Sequence, residues 1–552
     1  MLWRLICNKI IKSLAYYNSY LYFCCENINA MYIKSSTRNK DGKKYVSHYL
    51  VEGYRDKTDG KVKHRNIANL SKLPPKEILL LKKSLSGANL SSENFLKDEN
   101  IQIITTKQFG NVAVMENIFD ATFKNILGKQ YYSIIKAIVI NKIFEPKSKN
   151  ALPNWLRQVD LNSKYTNRND LYDSLDYLEE NQILIEQKLL KKKQKLSLLL
   201  YDITSTYFEG KGDKNICKYG YSRDHRSDRV QVNIGLVCDE SGTPVCVEII
   251  AGNISDKQTI EGKINQLKEK FDIKDIIFVF DRGMKSQTNL EFIKSSGYEY
   301  ITCLSHAQLK DKALHNQPIQ KSIFDKTNLA EFEIQEDSIT KKYVLCQNPH
   351  KEITDRKDRI KLIEKTEAKL QNICNLKKEY QDIQIQDKVS RVINHYSCEK
   401  YIEYSISKGK LKFARNAQVI ENDQKYDGFY MVESTNVKSK GETLVTSYKS
   451  LQLVERAFDD VKNLIEIRPV FHYTEKRIKG HIFSCFLSYY VLHKFREKVK
   501  EFLQEYTLDE LFTELKLVQK SYLRINSVLI EKLNNLSELQ THLLTLFSVP
   551  TF

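Results

Sequence analysis

Three acidic residues that lie far apart in the chain have the types and the settings expected of metal ligands. Asp202 and Asp281 each follow a short apolar run that is typical of a buried strand, and Glu455 lies in a segment with helical periodicity. Carboxylate oxygens are hard ligands that suit Mg²⁺ or Mn²⁺. Two such ions about 4 Å apart promote in-line displacement at a phosphodiester, with no need for a covalent protein nucleophile. A single aspartate after a strand is most often a cap or turn residue, so the prediction of phosphodiester chemistry depends on all three.

The segment around Glu455 carries two stripes at helical spacing. An apolar face recurs at steps of three and four residues: Leu451, Val454, Phe458, Val461 and Ile465. Tyr448, Glu455 and Lys462 are spaced seven residues apart, so they form a second stripe beside the apolar face. An amphipathic helix with solvated charges explains this segment when it is considered alone. Its combination with the two aspartates favours the functional interpretation.

The elements that must position these carboxylates follow one another in a diagnostic order. Apolar runs predict strands over 196–201, 230–238, 244–251, 276–280 and 298–304, with helices over 259–271 and 286–296. This is the order of a ribonuclease-H-like fold, in which an antiparallel meander is followed by parallel strands. Asp202 and Asp281 are then expected at the carboxyl ends of strands, where ligands gather in α/β sheets.

The rest of the chain completes an α/β protein. We predict a ribonuclease-H-like catalytic domain that is interrupted by a mixed, largely β insertion and preceded by a β-hairpin region and a helical region. The predicted boundaries are 1–30 for an upstream extension ahead of Met31, 31–110 for a β-rich DNA-binding region, 111–194 for the helical region, 195–307 and 443–500 for the two parts of the catalytic domain, 308–442 for the insertion and 501–552 for a helical tail. Basic residues surround the turn between 45–54 and 62–70, where contact with DNA phosphates and simple solvation are equally good interpretations.

Composition favours a polyanionic partner. The 552 residues include 87 Lys and Arg against 69 Asp and Glu, a net charge of +18. This balance is typical of proteins that bind nucleic acid or a membrane surface, although general basicity for solubility is the alternative. No run reaches the ~20 apolar residues of a membrane span. The 11 cysteines show no pair at the two-residue spacing of a zinc or redox site, which indicates free thiols in a reducing compartment.

The spacing of Tyr448, position 451, Glu455 and Lys462 resembles the Tyr-Arg-Glu-Lys signature of DDE insertion-sequence transposases. It is similar to the IS-four group and, within it, to a long subfamily whose members open as this chain does from Met31. Further matching stretches are 201–206 (Tyr-Asp-Ile-Thr-Ser-Thr), 220–229 (Gly-Tyr-Ser-Arg-Asp-His-Arg-Ser-Asp-Arg), Gly252-Asn253, 280–283 (Phe-Asp-Arg-Gly) and 468–472 (Arg-Pro-Val-Phe-His). The resemblance covers roughly residues 31 to 500. Leu451 stands where the signature usually has Arg, so one phosphate contact is lost or is supplied by Lys449 or Arg456.

The resemblance implies roles for individual residues. Asp202, Asp281 and Glu455 would be the catalytic residues. They would together hold two metal ions, either Mg²⁺ or Mn²⁺. DNA-binding roles would fall to residues of the matching stretches: Tyr448, Lys462, Arg229 and Arg282. The implied partners are inverted-repeat DNA at the transposon ends and target DNA, bound by a homodimer that pairs two ends, with no membrane partner. The implied location is the bacterial cytoplasm, in association with the nucleoid.

The implied function is DNA transposition through metal-dependent strand cleavage and strand transfer. Two alternatives remain open from the residues. One is a ribonuclease-H-like nuclease that cuts DNA without strand transfer. The other is a catalytically inactive DNA-binding descendant of a transposase, which the intact carboxylates disfavour and Leu451 favours.

Overall fold

The computed structural model describes residues 31–551, apart from 41–42, 57–60, 86–100, 164–166, 193–195, 272, 274–275, 317–328, 337–338, 377–379 and 526–527. The predicted upstream extension, 1–30, lies outside the described residues and stays a prediction. The chain divides into two compact units. The first comprises the described residues up to Ile103 together with Leu523–Ile530, and the second comprises Ile104–Tyr522 and Glu531–Phe552.

The first unit is built around a three-stranded antiparallel sheet. Its strands are β1 (Met31–Lys40), β2 (Lys43–Arg55) and β3 (Val62–Asn69), in the order β1-β2-β3, and helix α1 (Pro75–Leu85) follows them. The predicted hairpin is therefore confirmed, and β1 is an additional edge strand. Two of the basic side chains near the turn are already paired: Lys63 with Asp56, and Arg65 with Glu52 at 2.5 Å.

The helical region of the second unit follows strand β4 (Ile101–Gln108). Its helices are α2 (Gly110–Phe123), α3 (Lys129–Phe144), α4 (Leu152–Gln158), α5 (Arg168–Glu180) and α6 (Gln182–Lys191). Helices α5 and α6 are separated at Asn181, whose side-chain amide donates to the carbonyl of Tyr177 at 2.9 Å. Helix α5 begins with a capping box between Asn167 and Asp170. Most residues of α2 and α3 are buried, and their apolar side chains belong to the main hydrophobic core of the second unit.

The central sheet has the predicted ribonuclease-H-like order. Its first five strands and two helices are β5 (Leu198–Tyr207), β6 (Gln231–Asp239), β7 (Pro244–Ala251), α7 (Thr259–Phe271), β8 (Ile277–Phe280), α8 (Gln287–Ser295) and β9 (Glu299–Cys303). The spatial order is β7-β6-β5-β8-β9. The strands β5, β6 and β7 are antiparallel, whereas β8 and β9 run parallel to β5. All of β6 and nearly all of β5 are buried, as strands covered on both faces must be.

The segment after β9 is more helical than predicted. It contains α9 (His306–Asn316), β10 (Leu329–Glu336), β11 (Ile339–Gln347), α10 (Pro349–Cys374), α11 (Asp382–Tyr396), β12 (Ile402–Ser407), β13 (Lys410–Arg415), α12 (Ala417–Gln424) and β14 (Phe429–Ser434). The prediction of a largely β insertion over 308–442 is wrong, since more of the described residues are helical than extended. In addition, β14 pairs with β9, and β11 and β10 continue outward, so that one sheet of eight strands forms.

The last part of the chain belongs to the second unit, apart from Leu523–Ile530, which belongs to the first. It contains α13 (Gly441–Lys449), α14 (Leu451–Asp459), a π-helical turn (Asp460–Leu464), α15 (Glu475–Lys498), α16 (Leu508–Leu517), β15 (Gln519–Ile525), β16 (Val528–Leu533) and α17 (Glu538–Leu546). The prediction of a purely helical tail over 501–552 is wrong, because β15 and β16 form a sheet with β4. Helix α15 is buried along most of its length. Within the described residues, no helix combines the length and apolarity needed to cross a membrane.

A carboxyl group is buried between helix α6 and the central sheet. The side chain of Glu186 is fully buried and accepts hydrogen bonds from the Val247 N–H and from Gln182 Nε2, each at 3.0 Å. Burial raises the pKa of Glu186 from 4.5 to about 7, although these hydrogen bonds and the charge of Lys263 act in the opposite direction. The folded protein therefore keeps this proton over a pH range in which the unfolded chain has released it.

We expect Glu186→Gln to flatten the dependence of stability on pH between about 4.5 and 7. The folded state binds more protons than the unfolded state over this range, so the free energy of unfolding falls as pH rises, by up to about 1.4 kcal/mol per pH unit. This loss should be complete above pH 7. Thermal midpoints measured from pH 5 to 8 test the prediction, with the exposed Glu269→Gln on α7 as control. Identical pH profiles for the parent and Glu186→Gln would contradict it.

Candidate active site

Asp202 and Asp281 are brought side by side by the register of two parallel strands. Tyr201 of β5 pairs with Phe280, the last residue of β8, and each of these two residues is followed in the chain by an aspartate. Neighbouring strands lie about 4.8 Å apart. Asp281 follows the last residue of β8, as predicted. The prediction that Asp202 ends its strand is wrong: β5 continues to Tyr207 because its β-branched residues go on pairing with β6 after β8 has ended.

Glu455 reaches the same place from helix α14, which packs on β5. The predicted apolar face is confirmed: buried or partly buried side chains occur at Leu451, Val454, Phe458, Val461 and Ile465. The segment is not one uninterrupted helix, since α13 ends at Lys449 and the π-helical turn follows α14. Glu455 itself is exposed. Together with Asp202 and Asp281 it lines a cavity of about 920 Å³ and a second cavity of about 460 Å³.

The pKa of Asp202 is raised because burial and acidic neighbours outweigh the groups that stabilise its ionised form. Burial is the main cause that raises its pKa to about 7. The negative charges of Asp281 and Glu455 act in the same direction, whereas the Ile203 N–H and the Arg223 guanidinium act against it. A cation placed between the three carboxylates would favour the ionised form of Asp202.

Asp281 is held in place by two donors. Its Oδ2 accepts from the Gly283 N–H at 3.1 Å, which caps a short 3₁₀ turn, and its Oδ1 accepts from the Tyr448 hydroxyl at 3.3 Å. Tyr448 is half-buried, and burial raises the pKa of its hydroxyl. The phenol therefore stays protonated and serves as a donor to Asp281 in this arrangement.

The three carboxylates are ligands of the type that a divalent metal ion prefers, although their side chains are not arranged around a common metal position. In the part of the chain that the structure describes, no group of three or more His, Cys, Asp or Glu side chains is arranged to hold a metal. Three carboxylates without a cation repel one another, and Asp281 is occupied by Gly283 and Tyr448. Because Glu455 is exposed, its side chain is the one with freedom to turn toward the two aspartates.

The residues predicted to bind DNA differ in where they lie. Arg282 is exposed and lines the larger cavity with Tyr448. Lys462 lines the smaller cavity, but its ammonium is paired with Asp224 at 2.8 Å. Arg229 lines neither cavity: it donates to the Glu209 carbonyl at 2.9 Å and lies near the carboxylate of Asp228. The geometry thus brings Tyr448, Lys462 and Arg282 to the carboxylates and leaves Arg229 outside.

Arg223 is the main residue of the site that the sequence did not single out. It lines the smaller cavity beside Asp202 and Glu455 and is paired with Asp256. Its backbone N–H donates to Ser205 Oγ at 3.0 Å, which fixes the loop to β5. Arg223 lies in the matching stretch 220–229, but the sequence of a basic loop does not indicate which of its arginines turns inward.

Leu451 lies in the buried edge of its helix, with 7% of its surface exposed. Of the two residues proposed to replace the missing arginine, Lys449 lines the larger cavity and Arg456 does not line it. Further cations come from the segment after β9, which was not expected to contribute: Lys351, Arg359 and Lys400 line the same cavity. Two of them are paired with carboxylates, Arg359 with Asp427 and Lys400 with Asp423.

Comparison with known protein families identifies two parts of the chain. Residues 193–491, more than half of the 552, match the model of the Transposase DDE domain, and residues 33–94 match that of the IS1634 family transposase, N-terminal domain. The first match includes Asp202, Asp281 and Glu455. No curated protein matches the chain.

Two solved structures are similar in part. One is a cryo-EM structure of the piggyBac transposase synaptic complex with hairpin DNA, with 9% identity over 74% of this chain and 70% of that chain and a TM-score of 0.34. The other is the Mos1 transposase paired-end complex with the left transposon end, with 15% identity over 34% of this chain and 57% of that chain and a TM-score of 0.15.

Proposed function

This chain belongs to the DDE transposases of insertion sequences. From that premise we propose that it uses Asp202, Asp281 and Glu455 to cleave transposon-end DNA and to transfer the cut strand to target DNA. The single observation that carries the proposal is that these three carboxylates, from two strands and one helix, line the same cavities. Membership of the family implies dependence on a divalent metal. Mg²⁺ or Mn²⁺ suits the three carboxylates by ligand type, and we propose two ions.

The proposed chemistry divides the work among the residues of the site. Bound divalent ions would activate the attacking oxygen and stabilise the leaving one. Asp202 and Asp281, fixed by adjacent strands, provide the rigid part of the ligand set, and Glu455 completes it from the helix. Tyr448 keeps Asp281 oriented through its hydroxyl, and Arg223 balances the charge of Asp202. Arg282 is exposed at the cavity, where its guanidinium can contact a phosphate.

A finer assignment concerns the family and its domains. We place the chain in the IS-four-type group with the Tyr-Arg-Glu-Lys signature, on the spacing of Tyr448, Glu455 and Lys462, and the family named by the N-terminal match is IS1634. The first unit would bind the inverted repeats through its sheet, and the segment after β9 would act as an insertion in the catalytic domain. A homodimer that pairs two ends is the expected assembly.

Strand cleavage of a labelled inverted-repeat duplex tests the proposed function. In Mg²⁺ or Mn²⁺ the protein should nick the end and then join the freed 3′-hydroxyl to a second duplex, and chelation should stop both steps. Cleavage without any joined product would favour the nuclease alternative. Binding without cleavage at any metal concentration would favour the inactive descendant.

We expect Lys462→Gln to weaken binding of transposon ends and to reduce its dependence on salt. Lys462 is only partly exposed and is paired with Asp224, which a DNA phosphate at the smaller cavity would replace. Loss of one phosphate contact lowers the slope of log K against log salt by about 0.9. The measurement is a gel shift at several salt concentrations.

The control for this variant is Lys500→Gln, which removes an exposed lysine beyond the end of α15. Its slope should equal that of the parent. A parent-like slope for Lys462→Gln would show that Asp224 keeps this ammonium when DNA is bound, and the proposed phosphate contact would be wrong.

A further inference from the structure

A separate cavity of about 370 Å³ lies in the second unit, and six of its thirteen lining residues are Lys, Arg or His, against one acidic residue, Glu466. We call it the basic pocket and define it by six residues: Lys142, Lys149, Tyr172, Arg468, His472 and His481. It is formed by the end of α3, the loop before α4, helix α5, the stretch 468–472 and the start of α15. None of the carboxylates Asp202, Asp281 and Glu455 lines it.

The two lysines of the basic pocket have no carboxylate partner within the described residues. Lys142 donates to the carbonyl of Glu466 at 3.1 Å, and Lys149 Nζ lies 2.7 Å from His481 Nδ1. The other ring nitrogen of His481 lies 3.0 Å from the Ile467 carbonyl, so it donates there and Nδ1 accepts from the lysine. Lys142 is 6% exposed. Among the described residues, the charges of Lys142 and Lys149 are therefore met by a carbonyl and a ring nitrogen and not by a carboxylate in contact, although Glu466 also lines the pocket. An oxyanion would stabilise this arrangement.

The pKa values of the pocket residues reflect their burial first and the neighbouring positive charges second. Burial, followed by the charge of Lys142, lowers the pKa of Lys149 to about 7. Burial, followed by the charge of Lys149, lowers the pKa of His472 to about 3 and that of His481 well below its ordinary value. Both histidines are therefore neutral at neutral pH and provide ring nitrogens, not charges.

One acidic residue links the basic pocket to the catalytic cavities. Oδ1 of Asp224 accepts a hydrogen bond from Lys462 at 2.8 Å, and Oδ2 forms an ion pair with Arg468 at 2.9 Å. Lys462 lines the smaller catalytic cavity, and Arg468 lines the basic pocket. Lys462 and Arg468 thus connect the smaller catalytic cavity, which Glu455 also lines, with the basic pocket that contains Lys149. Cations that line adjoining cavities can contact different phosphates of one strand.

We propose that the basic pocket is a second phosphate-binding site, in which Lys142, Lys149 and Arg468 hold a phosphate group. When the protein is bound to DNA, this phosphate belongs to the backbone of the transposon end, beyond the phosphate contacted by Lys462. The assignment to DNA rests on the proposed function. The pocket fixes the strand at a distance from the three carboxylates and so helps to position the end. Free inorganic phosphate is the other source of the same chemistry.

Two measurements on the full chain test this site with Lys149→Gln and with Lys142→Gln as a second variant. The first is the thermal midpoint in inorganic phosphate, compared with chloride at equal ionic strength, which requires neither DNA nor cleavage. Phosphate should raise the midpoint of the parent and should raise that of each variant much less. The second is the salt dependence of binding to the inverted-repeat duplex, whose slope should fall by about 0.9 in each variant. Lys129→Gln, at the exposed start of α3, is the control and should match the parent in both.

Each outcome decides between the sources of phosphate. A lower slope in the variants supports a DNA phosphate in the basic pocket. Loss of the phosphate effect on the midpoint with an unchanged slope assigns the pocket to free phosphate and overturns its role on DNA. Absence of both effects overturns the site altogether. A parent that neither binds nor cleaves inverted-repeat DNA would refute the proposed function, while the midpoint measurement would still decide whether the pocket binds phosphate.

Discussion

Glu455→Gln is expected to abolish strand cleavage and to leave binding of the transposon end nearly unchanged. The substitution keeps the size of the side chain but removes the charge that would complete the ligand set with Asp202 and Asp281. Loss of an outer partner of a metal ligand already costs about 10–100-fold, so loss of a ligand itself should lower the rate of cleavage by at least about 100-fold. Binding should persist because phosphates are contacted by cations, which this change does not touch.

The matched control for this substitution is Glu442→Gln on the preceding helix, α13. Glu442 is exposed and lines neither catalytic cavity, so its variant should cleave at the parent rate. Asp202→Asn and Asp281→Asn should behave as Glu455→Gln does. Cleavage of a labelled inverted-repeat duplex in Mg²⁺, paired with a gel shift, provides both readouts. Cleavage by Glu455→Gln at the parent rate would remove this helix from the catalytic site.

Gly252→Ala is expected to destabilise the second unit and to impair cleavage, although residue 252 does not line either catalytic cavity. A Cβ atom at this position would lie 2.0 Å from the Gln231 carbonyl oxygen and 2.7 Å from that of Lys218. Both are backbone atoms and cannot move aside without shifting β6 or the loop that follows β5. Overpacking of this kind costs about 1–3 kcal/mol and occasionally more. The displaced loop carries Arg223, so the environment of Asp202 changes as well.

The control for Gly252 is Gly262→Ala, which has the opposite expected sign. Gly262 lies within α7, and a Cβ atom there meets nothing within 4 Å. Alanine in a helix is favoured over glycine by about 0.5–1 kcal/mol, so this variant should be slightly more stable and fully active. Thermal midpoints and cleavage rates of Gly252→Ala and Gly262→Ala test both expectations. Equal stability of Gly252→Ala and the parent would show that the loop adapts to the added methyl group.

Local patterns account for the parts of the site that were predicted correctly. Alternation and apolar runs report directly on strands that are buried on one or two faces, so the order of β5 to β9 was accessible from the chain alone. The spacing of Leu451, Val454 and Phe458 likewise determined which face of the helix is buried. Because that face packs on β5, Glu455 at its edge lines the same cavity as Asp202.

Predictions failed where pairing between distant segments determined the structure. The end of β5 was misplaced because its last residues pair with β6, which an apolar run ending at Tyr201 does not indicate. In the segment after β9, β14 joins the central sheet next to β9, a pairing that the sequence did not indicate. Strand partners separated by more than a hundred residues leave no periodic signal in the sequence.

The sequence by itself determined the residue types of the site, the order of the elements that carry Asp202, Asp281 and Glu455, and the basic character of the protein. Only the tertiary structure decided how the charges are paired. Lys462 and Arg468 are both paired with Asp224. Arg223, and not Arg229, lines the cavity beside Asp202. Lys149 contacts His481, which is more than three hundred residues away in the chain. The physical reason is that periodicity reflects the burial of one element's own face, whereas the partner of a charged side chain depends on which remote segment packs against that face.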